Sequence, residues 1–582
     1  MIKWIVENAA FFLRRTEVKM DYRTEHPTPQ FEREKWRCLN GVWDFEYDQG
    51  VSGEARGLHK PDAEYSLKIN VPFCPESALS GIGNTDFINS VWYKRTVDIS
   101  KDDLRNRVLL RFGAVDYEAT VFVNGSEAFS HKGGYVGFSG DITDHLTEGE
   151  NVITVRAIDD TRDRMIPSGK QCRWYRSSGC SYTRTTGIWQ PVWLEFVPAA
   201  RIIRTRYETD PESAVVNVTA TVSGAGTLRA EAFYEGRPVG EAETVTAGDS
   251  AVLSIKLSER HLWEIGHGRL YDLVLTFGED RVKSYFGLRS VALDGYRFLL
   301  NGKSVFQRTI LDQGFYPEGI YTAPSDAELE ADIDRSMALG FNGARLHQKI
   351  FEERFLYHCD RKGYIVWGEF PSWGLEDNKS DTIYALLPEW LEEIARDFNH
   401  PAIIGWCPFN ETDDDQYRDL VRTVYRVTKA VDPTRPVIDT SGYVHVETDI
   451  FDVHDYEQNP ETFREHYARF EKEGVITYAH SGAQEYPKGA PVFVSEFGGM
   501  TLAKGEKVWG YSRLNDEEQF YRNYEALVNV MLDNPCIMGF CYTQLTDVEQ
   551  EVNGLYRYDR TPKYDADRIR AINSRRAAIE DL

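Results

Sequence analysis

Between residues 20 and 200, apolar residues come in short runs separated by clusters of turn formers. Gly41-Val42-Trp43-Asp44-Phe45, Val108-Leu109-Leu110-Arg111-Phe112 and Ala119-Thr120-Val121-Phe122-Val123 are such runs, as are residues 91–97. Their β-branched and aromatic content predicts the strands of a sandwich. Asn124-Gly125 follows one run as a strong hairpin signal. Residues 151–157 alternate polar and apolar, the period of a half-buried strand. The segment 159–186 breaks the rhythm with Arg, Ser, Gly and the aromatics Trp174, Tyr175 and Tyr182. A loop that long in a compact domain is usually functional or disordered, and the aromatics predict an ordered one that reaches another domain.

Residues 201–291 repeat the β-texture in a smaller unit, with strands expected at 215–222, 227–234, 251–255 and 270–275 between Gly224, Gly226, Gly236 and Gly240. About ninety residues in this pattern predict an immunoglobulin-like β-sandwich, a spacer without chemistry of its own. From 292 to 582 strands alternate with helices. Ser325 and Glu328 make a capping box ahead of Leu329, Ile333 and Met337 on one helical face. Leu387, Leu391, Ile394 and Phe398 share the face of another helix; Tyr417, Leu420, Val424 and Val431 mark a third, which Asp432-Pro433 ends. Asn515 and Glu518 are the expected cap of a later helix carrying Phe520, Tyr524, Leu527 and Met531. Strands are expected at 305–310, 341–346, 364–369, 402–409, 435–439, 450–454, 491–496 and 536–542. Eight strands with intervening helices predict a (β/α)₈ TIM barrel. The fold class is therefore multidomain: two β-sandwiches, then a barrel.

A chain of 582 residues is too long for one core, in keeping with three domains. The net charge of −25, from 67 basic and 92 acidic residues, opposes a nucleic-acid partner, whose binding needs basic patches that release counterions. No apolar run approaches the ~20 residues of a membrane span. The eight cysteines are scattered without zinc spacing, which points to reduced thiols and a cytoplasmic protein; Cys172 and Cys180 are the one pair to watch as a loop disulfide. The N-terminus lacks a secretory pattern, and Met20 is the expected physiological start.

The chemistry lies at two strand ends. The apolar run 402–409 passes at once into Asn410-Glu411, and Pro491-Val492-Phe493-Val494-Ser495 into Glu496-Phe497-Gly498. On the strand count Glu411 follows strand four and Glu496 ends strand seven, so both face the C-terminal mouth, where barrel enzymes keep their active sites. Two carboxyls about 5 Å apart, one acid/base and one nucleophile, are what glycoside cleavage with retention requires.

These stretches resemble glycoside hydrolase family 2, the β-galactosidases, β-glucuronidases and β-mannosidases, over nearly the whole chain. Asn399-His400-Pro401 through Asn410-Glu411 resembles the family's acid/base signature, Ser495-Glu496-Phe497-Gly498 its nucleophile segment, and Asn342-Gly343-Ala344-Arg345 the start of its other signature. Thr186-Gly187-Ile188-Trp189-Gln190-Pro191-Val192-Trp193 resembles the end of the sugar-binding domain. The resemblance implies a jelly-roll sugar-binding domain over 20–200, an immunoglobulin-like domain over 201–291 and a catalytic barrel over 292–582. It implies that Glu411 is the acid/base, that Glu496 is the nucleophile, that Asn410 binds the sugar 2-hydroxyl and that Arg345 lies beneath Glu496 and keeps it ionised.

Further substrate-binding candidates follow from their places after strands. His454 and Tyr456, in His454-Asp455-Tyr456 at the end of strand six, are two of them, and Tyr456 is placed to hold Glu496. His347, two positions after Arg345, either enters the mouth or is an ordinary buried histidine. Glu369 either binds a sugar hydroxyl or pairs with Arg345, and Trp373 either stacks on the sugar or fills the core. Tyr542, Gln544 and Asp547 after strand eight, with Asn553 beyond, supply polar groups at the mouth. No metal and no other cofactor is predicted; the partner is a carbohydrate substrate, and the resemblance allows a homo-oligomer.

Departures from the family concern the sugar. Leu346-His347-Gln348 stands where galactosidases and glucuronidases commonly have Ser-His-Tyr-Pro, and Tyr542 where several relatives place Trp. Asn553-Gly554-Leu555 lacks the lysine of the glucuronidase Asn-x-Lys element, and a sugar carboxylate buried without a cation costs several kcal/mol. The expectation is therefore a retaining exo-glycosidase acting on β-galactosides or similar arabinopyranosides, with β-glucuronidase or β-mannosidase as the alternative. A non-catalytic carbohydrate-binding protein has no need of the intact carboxylate pair, and an endo-glucanase leaves the two β-domains without a purpose.

Overall fold

A computed structural model of the chain describes residues 22–476, 486, 489–502 and 508–582; the expected start at Met20 lies outside them. The first domain is a sandwich of a six-stranded and a four-stranded antiparallel sheet, with Ser90–Ile99 and Gly149–Ile158 paired at the centre of the larger. Its hairpin turns where expected: Glu118–Val123 pairs with Ser126–Lys132 across Asn124 and Gly125, which both take positive φ (51° and 83°), the backbone that a two-residue turn of this hand needs. The second domain packs a three-stranded sheet on a four-stranded one, seven strands around a core of alternating side chains such as Val216, Val218 and Ala220.

The barrel strands are Gln307–Asp312, Gly343–Leu346, Ile365–Glu369 and Ile403–Cys407 (one to four), then Phe451–Asp455, Val492–Gly498 and Ile537–Thr543 (six to eight), all parallel, with strand eight beside strand one. The expected fifth strand at 435–439 does not form a regular ladder. The chain there runs as a stave held to strand four by Trp406 N–H to Pro436 O (3.1 Å), Ile438 N–H to Trp406 O (2.9 Å) and Ser441 N–H to Phe409 O (2.9 Å). Pro436 has no N–H to give, and the Asp439 carboxylate accepts the N–H groups of Thr440, Val446 and Glu447, drawing local backbone away from a ladder. Side chains close the seam to strand six: Asp452 accepts from Ser441 Oγ (2.7 Å) and Gly442 N–H (3.2 Å).

Three helical details differ from expectation. The helix Glu517–Asp533 is capped by Asp516, whose side chain accepts from Gln519 N–H (2.8 Å), rather than by Asn515. The helix Ile383–Asp397 buries Leu386, Glu389, Trp390, Glu393, Ile394 and Asp397; of the expected face Ile394 and Phe398 are buried, while Leu386 and Trp390 stand in for Leu387 and Leu391. Ser325 caps Asp326–Ala338, accepting from Glu328 N–H, but the Glu328 carboxylate turns to Arg335 (2.5 Å), so the expected capping box is half formed.

Interdomain contacts hold the site in place. Arg289, at the end of the second domain, donates to Pro401 O (3.0 Å) and Ile403 O (2.9 Å) at the start of strand four. Asn399 exchanges hydrogen bonds with Thr205 O and Tyr207 N–H, and His400 Nδ1 meets Asp360 Oδ2 at 2.6 Å. The first half of the Asn399–Glu411 stretch thus docks strand four on its neighbour domain. The loop 159–186 docks on its own barrel: Ser168 and Gly169 N–H donate to Trp373 O (2.8 and 3.0 Å), Thr183 N–H to Glu549 (2.9 Å), and Gln550 Nε2 to Gly179 O (2.8 Å). Gly169 is required there, since its φ is +51° and a Cβ would lie 2.2 Å from Gln348 O. All eight cysteines are free thiols, so Cys172 and Cys180 do not pair.

Candidate active site

The centre of the mouth is Arg345. On strand two its side chain points inward, and its planar fork of five donors is spent on four partners: Nε and Nη2 on Glu369 Oε2 (2.9 and 2.8 Å), Nη2 on Asn410 Oδ1 (2.9 Å), and Nη1 on Glu496 Oε1 (3.1 Å) and Ser495 O (3.0 Å). Glu496 and Arg345 are almost wholly buried. The pairing of strand six with strand seven slips at Val453/His454, and strand seven slips again on strand eight between Val494 and Phe497. Bulges of this kind re-aim side chains, and here His454 comes opposite Glu496.

Glu411 stands on the corner after strand four with φ +54°, a left-handed backbone that few non-glycine residues adopt. Its N–H is pinned to Ser441 O (2.8 Å). His454 joins the two carboxylates, Nδ1 to Glu411 Oε1 at 2.8 Å and Nε2 to Glu496 Oε1 at 3.5 Å. One nitrogen of His454 and one oxygen from each glutamate lie within 4.8 Å of one another. That is the short carboxyl spacing of retention, well inside the ~6.5–9.5 Å of inversion. A divalent cation also takes such a trio, but Arg345 already occupies the charge position next to Glu496.

Family models match the whole organisation: "Glycosyl hydrolases family 2, sugar binding domain" over 36–194, "Glycosyl hydrolases family 2" over 200–289 and "Glycosyl hydrolases family 2, TIM barrel domain" over 291–575. The chain belongs to glycoside hydrolase family 2. It is thus a glycoside hydrolase of three domains. It is similar to the β-glucuronidase of Paenibacillus borealis, 26% identical over 441 residues (69% of this chain, 72% of the relative), and to that of Sus scrofa, 27% identical over 475 residues (71% and 70%). Among solved structures it shares its fold with an uncultured Clostridium sp. β-glucuronidase (TM-score 0.77, 23% identity, 93% of this chain and 98% of that one). It shares it also with the Ruminococcus gnavus β-glucuronidase in complex with D-glucuronic acid (TM-score 0.78, 20% identity, 95% and 100%).

Charge is distributed unevenly over this family 2 mouth. Burial would push the Glu496 carboxyl up, but the charges of His454, Arg345, His347 and Lys170 outweigh it and hold the group well below the usual carboxylate range. Burial likewise works against Glu369, yet Arg345 and His347 bring it to about 2. Burial lowers His454, but the Glu496 charge and the Glu411 hydrogen bond win and raise it. Tyr456 Oη donates to Glu496 Oε2 and meets Thr543 Oγ1 at 3.1 Å. Asn410 keeps its Nδ2 buried and, among the described residues, without a hydrogen-bond partner.

Other candidates resolve differently. Glu369 is saturated by Arg345, His347 Nδ1 (3.0 Å) and the N–H and Nε2 of Gln348 (3.1 and 3.2 Å), so it pairs with Arg345 and has nothing left for a sugar. His347 is a buried histidine wedged against Glu369, and burial lowers its pKa. Trp373 is neither core nor a free platform: Nε1 donates to Asn410 O (3.2 Å), and Lys170 Nζ lies 3.8 Å over its ring. Tyr542 does not reach the mouth; the two-residue period of strand eight turns it outward among Phe497, Phe520 and Tyr524. Asp547 turns to Lys563 at 2.7 Å and Gly554 N–H at 2.9 Å. Gln544 Oε1 accepts from Gln313 Nε2 (2.8 Å), and Asn553 Nδ2 donates to Glu551 (3.1 Å). A cavity of about 180 Å³ opens beside Glu411, lined also by Asn410, Trp373, Ser168, Arg173 and Trp174.

Sequence reasoning missed Gly442, Glu551 and Lys170. Gly442 (φ +97°) leaves no room for a Cβ, which would lie 2.6 Å from the His454 ring; a Gly after the fifth strand was the available signal. Glu551 accepts from Tyr182 Oη at 2.5 Å, and burial pushes it up to about 7. Nothing in the pattern distinguishes Lys170 from other loop lysines.

Proposed function

We propose that the protein is a retaining exo-β-glycosidase that hydrolyses terminal β-glucuronides through a covalent glycosyl-enzyme. The observation that carries the reading is the Glu411–His454–Glu496 cluster, whose ligand atoms lie within 4.8 Å of one another, too close for a water to attack between two carboxyls. Glu496, ionised by its cationic surroundings, attacks the anomeric carbon; the glycosidic C–O bond breaks as Glu411 gives its proton to the leaving oxygen. Glu411 then takes a proton from water, which attacks the anomeric carbon and frees Glu496. Arg345 and Tyr456 hold the two oxygens of Glu496, and the partnerless Asn410 Nδ2 suits the sugar 2-hydroxyl, a contact that strengthens in the transition state. The curated relatives named β-glucuronidase support the glucuronide over the galactoside expected above. The neutral galactoside or arabinopyranoside remains the second reading, favoured by Leu555 where an Asn-x-Lys element has its cation.

Azide rescue tests the roles. With Glu496→Ala the expected product is the α-glycosyl azide, inverted; with Glu411→Ala and an activated aryl glycoside it is the β-azide. Exchanged or absent azide products contradict the assignment. A panel of p-nitrophenyl β-glucuronide, galactoside, arabinopyranoside, mannoside and glucoside names the sugar.

A further inference from the structure

Lys170, in the first domain's loop, is a buried cation beside the mouth. It is 5% exposed, yet among the described residues its ammonium has no carboxylate within 4 Å, and its recorded contact is the face of Trp373 at 3.8 Å. Its neighbours are otherwise engaged. Arg345 is spent on Glu369, Asn410 and Glu496; Lys349 donates to Gly314 O and Tyr321 O; Lys563 pairs with Asp547. A buried ammonium without an anion is costly unless something else supplies one.

The loop holds Lys170 rigidly. Its carbonyl accepts from Tyr182 N–H (2.8 Å), the preceding two residues are bound to Trp373 O, and Tyr182 is anchored to Glu551. Trp373, the ring under the ammonium, donates from Nε1 to Asn410 O at 3.2 Å, which sets Lys170 beside the residue next to Glu411.

We propose that Lys170 is the specificity-determining residue that binds the C6 carboxylate of a hexuronic acid glycoside, a role taken by a loop of the sugar-binding domain because position 555 is leucine. The proposal rests on the glucuronide reading above. Truncating one member of such a buried charge pair costs on the order of 10²–10³-fold.

The test compares p-nitrophenyl β-D-glucuronide with p-nitrophenyl β-D-glucoside, which differ only at C6. Lys170→Gln is expected to lower kcat/KM on the glucuronide by about 10²-fold more than on the glucoside. Denaturant unfolding of each variant is the folding control. Lys170→Arg, which keeps the charge over Trp373, is expected to retain the uronide preference. An equal fall on both substrates, or neutral preference in Lys170→Arg, overturns the role of Lys170 and leaves the glucuronide reading standing. A wild-type enzyme inert on the glucuronide but active on a neutral glycoside overturns both.

Discussion

The strand-four and strand-seven corners of the mouth each present a glutamate, but they treat it in opposite ways. Glu496 lies within strand seven where its pairing slips, its side chain 3% exposed, with Arg345 on one oxygen and Tyr456 on the other. Glu411 stands on a left-handed turn, its side chain 15% exposed, with His454 as its partner and a cavity beside it. A nucleophile has to stay ionised and fixed. An acid/base has to exchange protons with water and reach a leaving group. On the proposed roles, the difference in surroundings between identical side chains divides the labour.

Removing each carboxylate breaks the comparison most sharply. Glu496→Ala should cost about 10⁵-fold or more in kcat on every substrate. Glu411→Ala should cost about 10²–10⁴-fold on glycosides with poor leaving groups and far less on 2,4-dinitrophenyl glycosides, which need no protonation. Steady-state rates over a series of leaving groups check this; equal sensitivity in both variants contradicts the division. Next, Arg345→Met leaves Glu369 and Glu496 buried without their cation, and denaturant unfolding should show a loss of about 3–5 kcal/mol. Tyr456→Phe removes one charged hydrogen bond from the strand-seven corner alone, and kcat should fall about 10–100-fold.

The smallest effect is on pH dependence. His454→Gln removes a charge that holds Glu496 down, so the Glu496 pKa rises and the acid limb of kcat/KM should move to higher pH; an unmoved limb contradicts the coupling. The sign for stability is opposite at the two groups. The raised His454 contributes stability that is whole below ~6.5 and is lost as pH rises through its folded value. The lowered Glu496 contributes stability present above ~4.5 and lost as pH falls through its folded value. The deficit of His454→Gln should therefore shrink as the solution is made alkaline.

Much of this was legible because hydrophobic period and strand count are local. The runs ending in Glu411 and Glu496 and the hairpin at Asn124-Gly125 needed no tertiary information, and the place of Arg345 came from the family resemblance. What escaped depends on which face a residue takes once strands register. Tyr542 points away because of the pleat, Asp547 is claimed by Lys563, sixteen residues on, and His454 gained its bridging place from a bulge. The fifth stave misled because Pro436 and Asp439 take hydrogen bonds out of the ladder. Lys170 was invisible because a loop's destination is set by a domain interface.

The most direct measurement is to trap the intermediate. Incubation with a 2-deoxy-2-fluoro β-glycosyl fluoride of the preferred sugar, followed by proteolysis and mass spectrometry of the labelled peptide, should find one sugar per chain, esterified to Glu496. A label on Glu411, or turnover with inversion and no labelled peptide, would contradict the account.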